Sequence, residues 1–199
     1  TAYGTGGQSV SGAILISVTN KAVSEVYGPT PKNTAVTFPA SSIAAAVAAA
    51  TGTTPSGIQL LKLPAANVGT IYVGSSTASP ANTTTVYGYN TGTQQLGQLR
   101  FVPASGYTGP VEIPYVALNA SNTAIASGVF SMGVLESRKE FKDVTTSTWC
   151  YKYVVELASS GVIDGYPDGN FKPDNTITYG AALKLIMLAA GYPEQAPVN

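Results

Sequence analysis

Nucleophilic and metal chemistry draws first on histidine and cysteine, and this chain of 199 residues has no histidine and one cysteine, Cys150. A Cys/His dyad, a Ser-His-Asp triad and a zinc site of the usual Cys/His type need an imidazole or several thiols, so those classes are excluded. The lone thiol also excludes a disulfide within the chain. Carboxylates remain. Between residues 1 and 135 the only acids are Glu25 and Glu112, and nothing in their spacing brings them together as an acid/base pair. Asp164, Asp168 and Asp174 lie closer to one another. Their spacing is not that of an EF-hand, and turn capping accounts for them without a cation. No motif supports a Ser/Lys nucleophile pair. The expectation is a protein with no enzymatic activity, no metal and no cofactor.

Binding chemistry is better supplied. Twelve tyrosines in a chain with only 10% charged residues offer amphipathic contact area, each an apolar ring with a polar tip. Tyr87 and Tyr89 flank Gly88 and share one face of an expected strand. They form either a stacking platform for a glycan or part of the sheet's cover and core. Ten basic and ten acidic side chains give a formal net charge of zero, so there is no basic field to draw a nucleic acid. Scarce charge also permits broad lateral contacts between copies, since few ions would need desolvating. The longest apolar run, Ile43 to Ala50, is far short of the roughly 20 residues that span a bilayer. The N-terminus lacks the basic start and apolar stretch of a signal peptide and reads as the start of a mature or excised fragment.

The elements that must position these residues fall into two regions. Six of the twenty charges lie in residues 1–135 and fourteen in 136–199, which places a junction near Glu136 to Glu140. The expected domains are 1–136 and 137–199. In the first, Thr-, Ser-, Gly- and Ala-rich sequence holds short apolar stretches at 12–19, 35–38, 57–63, 70–73, 83–89, 98–102, 111–118 and 124–134. Val111, Ile113, Tyr115 and Ala117 alternate with Glu112 on the other face, the period of a half-buried strand. Phe130, Met132 and Val134 repeat it. Strands at such spacing predict an antiparallel β-sandwich, with Pro114 marking its strand as an edge. One helix interrupts them, N-capped within Pro39 to Ser42, packing Ile43 and Val47, and ended by Gly52.

The second region changes to a period of 3.6. Trp149, Tyr153, Val154, Leu157 and Ala158 share a face of a helix expected to start at Ser147 and stop at Gly161. A second helix is expected from Thr178 as N-cap to Gly191, burying Ala182, Leu183, Ile186, Met187 and Ala190. Gly165-Tyr166-Pro167-Asp168-Gly169 between them has the composition of a tight turn. The fold class is therefore mainly β with a separate α segment, a sandwich followed by a helical hairpin.

Phe141-Lys142-Asp143-Val144, Trp149, the run Leu157 to Pro173 containing Gly165-Tyr166-Pro167-Asp168-Gly169-Asn170-Phe171, and Ile177-Thr178 before a closing apolar helix together resemble one S-layer homology (SLH) repeat over nearly all of 139–192. The resemblance implies a secreted bacterial cell-surface or cell-wall protein held non-covalently on secondary cell-wall polysaccharide, often pyruvylated, with neighbouring SLH repeats in cis or in trans as partners. Residues 193–199 then read as a linker. The resemblance implies glycan contacts at Trp149, Gly165, Tyr166, Thr178 and Tyr179. Where the family has Arg-Ala-Glu this chain has Tyr179-Gly180-Ala181, leaving the helix N-terminus at Thr178 to meet an anionic sugar. A purely structural reading stands beside these roles, with Trp149 and Phe171 as core anchors and Gly165 as a positive-φ turn. An alternative function is adhesion or self-assembly, the repeat serving packing. Leu99 to Tyr115 also resembles the closing strands of immunoglobulin- or cadherin-like sandwich repeats of bacterial surface proteins. Leu118 to Asn122 lacks the aspartates that a calcium turn would need.

Overall fold

The computed structural model describes residues 22–90 and 95–192 in full, and the backbone of 2–3 and 9–10. The stretch expected as a strand at 12–19, and the expected linker at 193–199, lie outside the described residues. Strands β1 (Ala2–Tyr3) and β2 (Ser9–Val10) pair with each other. The larger sheet runs in the order β3 (Val26–Tyr27), β11 (Ala124–Leu135), β10 (Gly109–Leu118), β6 (Gly57–Leu60) and β8 (Val86–Gly88), with β4 (Thr30–Pro31) also on β11. The smaller sheet is β5 (Val36–Thr37), β9 (Leu99–Pro103) and β7 (Gly69–Val73).

Alternation in the sequence decides which face each strand buries. Val111, Ile113, Tyr115 and Ala117 of β10 and Ala126, Phe130, Met132 and Val134 of β11 turn inward, and Glu112 outward. They meet Ile71, Leu99 and Phe101 of the smaller sheet in one core. Helix α1 (Ala40–Thr51) adds Ile43, Ala44 and Val47 to that core, and the Phe38 and Phe130 rings lie 4.8 Å apart within it. Gly52 closes α1 in the left-handed region at φ 76°, donating its N–H to the Ala48 carbonyl, as its position predicts. No serine caps the start: the N-cap is Pro39, without a side-chain bond, and Ser41 and Ser42 sit inside the first turn.

The main ladders of both sheets are antiparallel, as expected, and the two-residue strands β3 and β4 run parallel to β11. One expectation of the sandwich is corrected. The strand carrying Pro114 is central rather than at an edge, flanked by β11 and β6. Its missing N–H goes unmissed because in a strand the nitrogen and carbonyl of one residue point to the same side. The Pro114 carbonyl accepts from Leu61 N–H just past the end of β6, so the absent donor faces the point where that ladder stops.

Beyond β11 the period changes and a second core begins. Helix α2 (Tyr151–Ser159) buries Tyr151, Val154, Val155 and Ala158, one helical stripe, against Leu135, Phe141, Val144 and Ile163. It starts later than Ser147, with Cys150 at the N-cap. Its outer neighbours bind the sheet's rim: Tyr27 donates its hydroxyl to Glu156 at 3.1 Å and Lys152 pairs with Glu25 at 2.6 Å. Helix α3 (Tyr179–Ala189) has the expected N-cap, Thr178 Oγ1 accepting from Ala181 N–H. It buries none of its residues, however. The inward side is formed by half-buried Ala182, Leu185 and Leu188, while Leu183, Ile186, Met187 and Ala190, expected to be buried, are exposed. The apolar periodicity is genuine, but this helix is apolar on two sides and meets a neighbour on one.

Candidate functional site: the groove between the two C-terminal helices

The groove is built by the loop joining α2 to α3. Gly161 at φ 74° turns the chain out of α2, its N–H on the Ala158 carbonyl and that of Val162 on Leu157. Tyr166 N–H to the Asn170 carbonyl and Gly169 N–H to the Tyr166 carbonyl close the Pro167-Asp168 turn. Gly165, at φ 72°, lies so close to the Phe141 ring that a Cβ there would collide with it. Asp143 then ties the loop's far side to the start of the segment: its two carboxylate oxygens accept from the N–H groups of Phe171 (2.8 Å) and Lys172 (2.7 Å). Those amide donors hold its carboxyl below the usual carboxylate range.

The result is a groove of about 760 Å³. Trp149 and Tyr153 line it from the α2 side, Tyr166 and Lys172 from the loop, and Lys184 and Leu188 from α3. Trp149 is 76% exposed and Tyr153 61%, an arrangement of open aromatic faces that suits the apolar faces of sugar rings. Lys172 lies 4.3 Å from the centre of the Tyr166 ring and pairs with Asp168 at 3.0 Å. Asp168 is held below its usual range, first by Asn170 N–H and then by Lys172. Cys150 also borders the groove, but it is buried and desolvation pushes its thiol up, away from a reactive thiolate.

Of the residues singled out from the sequence, Trp149, Gly165 and Tyr166 come together in this groove. Thr178 is spent capping α3, and Tyr179, 87% exposed, does not line the groove. The core-anchor reading fits Phe171, half-buried with its ring 5.6 Å from Phe141, and not Trp149. Gly165 has the positive φ its turn requires. The stacking platform at Tyr87 and Tyr89 is not formed. Tyr87 is fully buried, accepting Asn82 N–H and donating to the Asn82 carbonyl, so its ring is core. The sequence reading passed over Lys172 and Lys184. Lys172 lies within the SLH-like run but was given no role there, Lys184 lies outside the quoted motif, and the fold brings both to the groove that the aromatics line.

Comparison with known proteins gives the groove a family context. Residues 140–183 match the S-layer homology domain. A stretch of 52 residues, 26% of this chain, is 35% identical to 5% of the Middle cell wall protein of Brevibacillus brevis. Another of 55 residues, 28% of this chain, is 40% identical to 14% of Outer membrane protein alpha of Thermotoga maritima. A third, 51 residues or 26% of this chain, is 41% identical to 2% of Cell surface glycoprotein 1 of Acetivibrio thermocellus. The chain thus spans only a small fraction of these relatives. No solved structure matches it significantly. The Phe141 to Val144 run, the Gly165 to Gly169 turn and the groove lining up to Ala181 all fall within that match, so residues 140–183 of this chain are an S-layer homology domain.

Proposed function

We propose that this chain is a non-catalytic bacterial cell-surface module, its SLH segment holding the protein on secondary cell-wall polysaccharide and its sandwich, residues 1–136, carried outward as a structural or adhesive unit. The observation that carries the reading is the groove, where exposed Trp149, Tyr153 and Tyr166 stand beside Lys172 and Lys184. Aromatic faces would take the sugar rings, and the lysines would supply the positive charge that an acidic substituent such as a pyruvyl ketal requires in place of the missing arginine. The surface location of the relatives, as their names state it, supports the same reading.

The test is retention of the chain on purified cell-wall polysaccharide, with and without acid removal of pyruvate. Trp149→Ala is expected to abolish retention while leaving stability within about 0.5 kcal/mol, because the side chain is mostly in solvent. Retention unaffected by Trp149→Ala and by Lys172→Gln together would overturn the groove as the site.

A second reading, packing or self-assembly through the repeat, is favoured by one observation. Leu183, Ile186 and Met187 form an exposed apolar stripe on the outer side of α3, the kind of surface that marks contact with another chain or a neighbouring repeat.

A further inference from the structure

A second pocket, of about 490 Å³, lies where α1 and β3 meet the entry to α2, away from the helical groove. Its apolar lining includes Val36, Ala46 and Phe130. Its polar lining residues include Thr37, Ser42, Thr146, Tyr151 and Arg138. Arg138 Nη2 donates to the Tyr151 hydroxyl at 3.4 Å, and among the described residues nothing accepts the proton of that nearly buried phenol. A ligand oxygen placed there would meet a cationic fork and a hydroxyl donor together. The other formal charge in the pocket, Glu25, is already answered by Lys152 at 2.6 Å. Arg138 itself is held by Glu140 at 2.9 Å, whose side chain is 71% exposed. A pair that open to water is weak and exchangeable.

We propose that this pocket binds a saccharide bearing a carboxylate, the acid group replacing Glu140 on Arg138 and Tyr151. The ring lies over the apolar lining, and its hydroxyls exchange hydrogen bonds with Thr37, Ser42 and Thr146. The requirement is specific: a bare anion leaves the apolar lining empty, and a neutral sugar leaves the guanidinium unanswered. The site joins the sandwich to the SLH segment and does not depend on the helical groove, so glycan retention through Trp149 and binding here succeed or fail separately.

Titration of the isotopically labelled chain with sodium D-glucuronate, followed by amide shifts, tests the proposal, with D-glucose and sodium acetate as parallel arms. Saturating shifts are expected in residues 36–46, 138, 146 and 151, with glucose and acetate at least about tenfold weaker. Arg138→Gln should lose about tenfold in affinity. Glu140→Gln should gain up to about threefold, because it removes the competing carboxylate. Arg138 is exposed enough that its replacement keeps the fold, which the amide spectrum itself checks, and Glu140→Gln provides a second and opposite signal. Equal binding of acetate or of glucose, shifts confined to other residues, no saturable shifts with glucuronate, or indifference to both substitutions would each overturn it.

Discussion

Two buried tyrosines show how much a single hydroxyl depends on its neighbours. Tyr87 and Tyr115 are both fully buried in the sandwich core. The Tyr87 hydroxyl both gives and takes a hydrogen bond with Asn82, whereas that of Tyr115 has no partner among the described residues, and desolvation pushes it up to about 12. A made hydrogen bond contributes about 1 kcal/mol, and an unmade buried one costs a similar amount or more. Tyr87→Phe is therefore expected to destabilise by about 1 kcal/mol and Tyr115→Phe to be neutral or stabilising in urea denaturation. The reverse order would refute the assignment. At Asp143 the carboxylate is favoured in the folded state by the amides of Phe171 and Lys172, so its folded value lies below the ordinary one of about 3.9. Because that value is depressed, the clamp's contribution is complete above the unfolded value and is lost as pH falls through the folded one. The Phe171 and Lys172 amide proton shifts should accordingly move only below about pH 4. In Asp143→Asn that step should vanish, and a step unchanged in the variant would contradict the clamp.

At the scale of elements, the contact between β11 and α2 depends on a glycine. A Cβ at Gly133 would stand 2.5 Å from the Tyr27 hydroxyl, the group that reaches past it to Glu156. Gly133→Ala should cost about 1–3 kcal/mol through overpacking. In a Tyr27→Phe background the obstructing oxygen is gone, and the next neighbour lies 3.2 Å away, so the same substitution should cost less. A double-mutant cycle on thermal melts measures the difference, and strict additivity would show that the two residues do not touch. The neighbouring Lys152–Glu25 pair raises the lysine and lowers the glutamate, each chiefly through their mutual hydrogen bond. Strand existence was legible at this scale because alternation is local: every expected strand among the described residues has its counterpart, displaced by a few residues at the ends. The short strands β3 and β4 were missed because two residues carry no periodicity, and their parallel pairing with β11 is a property of the return path of the chain.

For the whole molecule, the decisive surface is the outer side of α3. Nothing in the described chain touches Leu183, Ile186 or Met187 closely enough to bury them. The combined substitution Leu183→Lys and Ile186→Glu is thus expected to leave the thermal midpoint of a monomer almost unchanged. It should also abolish the concentration-dependent rise in sedimentation coefficient that the unmodified chain shows if this stripe is an interface between copies. Identical sedimentation of the two proteins at high concentration would remove the self-assembly reading and leave attachment to glycan alone.

The sequence by itself determined that the chain has no imidazole and a single thiol, where the period changes, and the SLH repeat, because residue types, periodicities and motif spacings are local. Only the tertiary structure decided which apolar residues are core. Trp149 and the α3 stripe look as apolar in sequence as Tyr87 and Phe130, yet the first pair faces solvent and the second is buried. Burial depends on what arrives from elsewhere in the chain. For the same reason the two cations nearest the aromatic groove, and the arginine beside the second pocket, emerged only once the chain had folded around them.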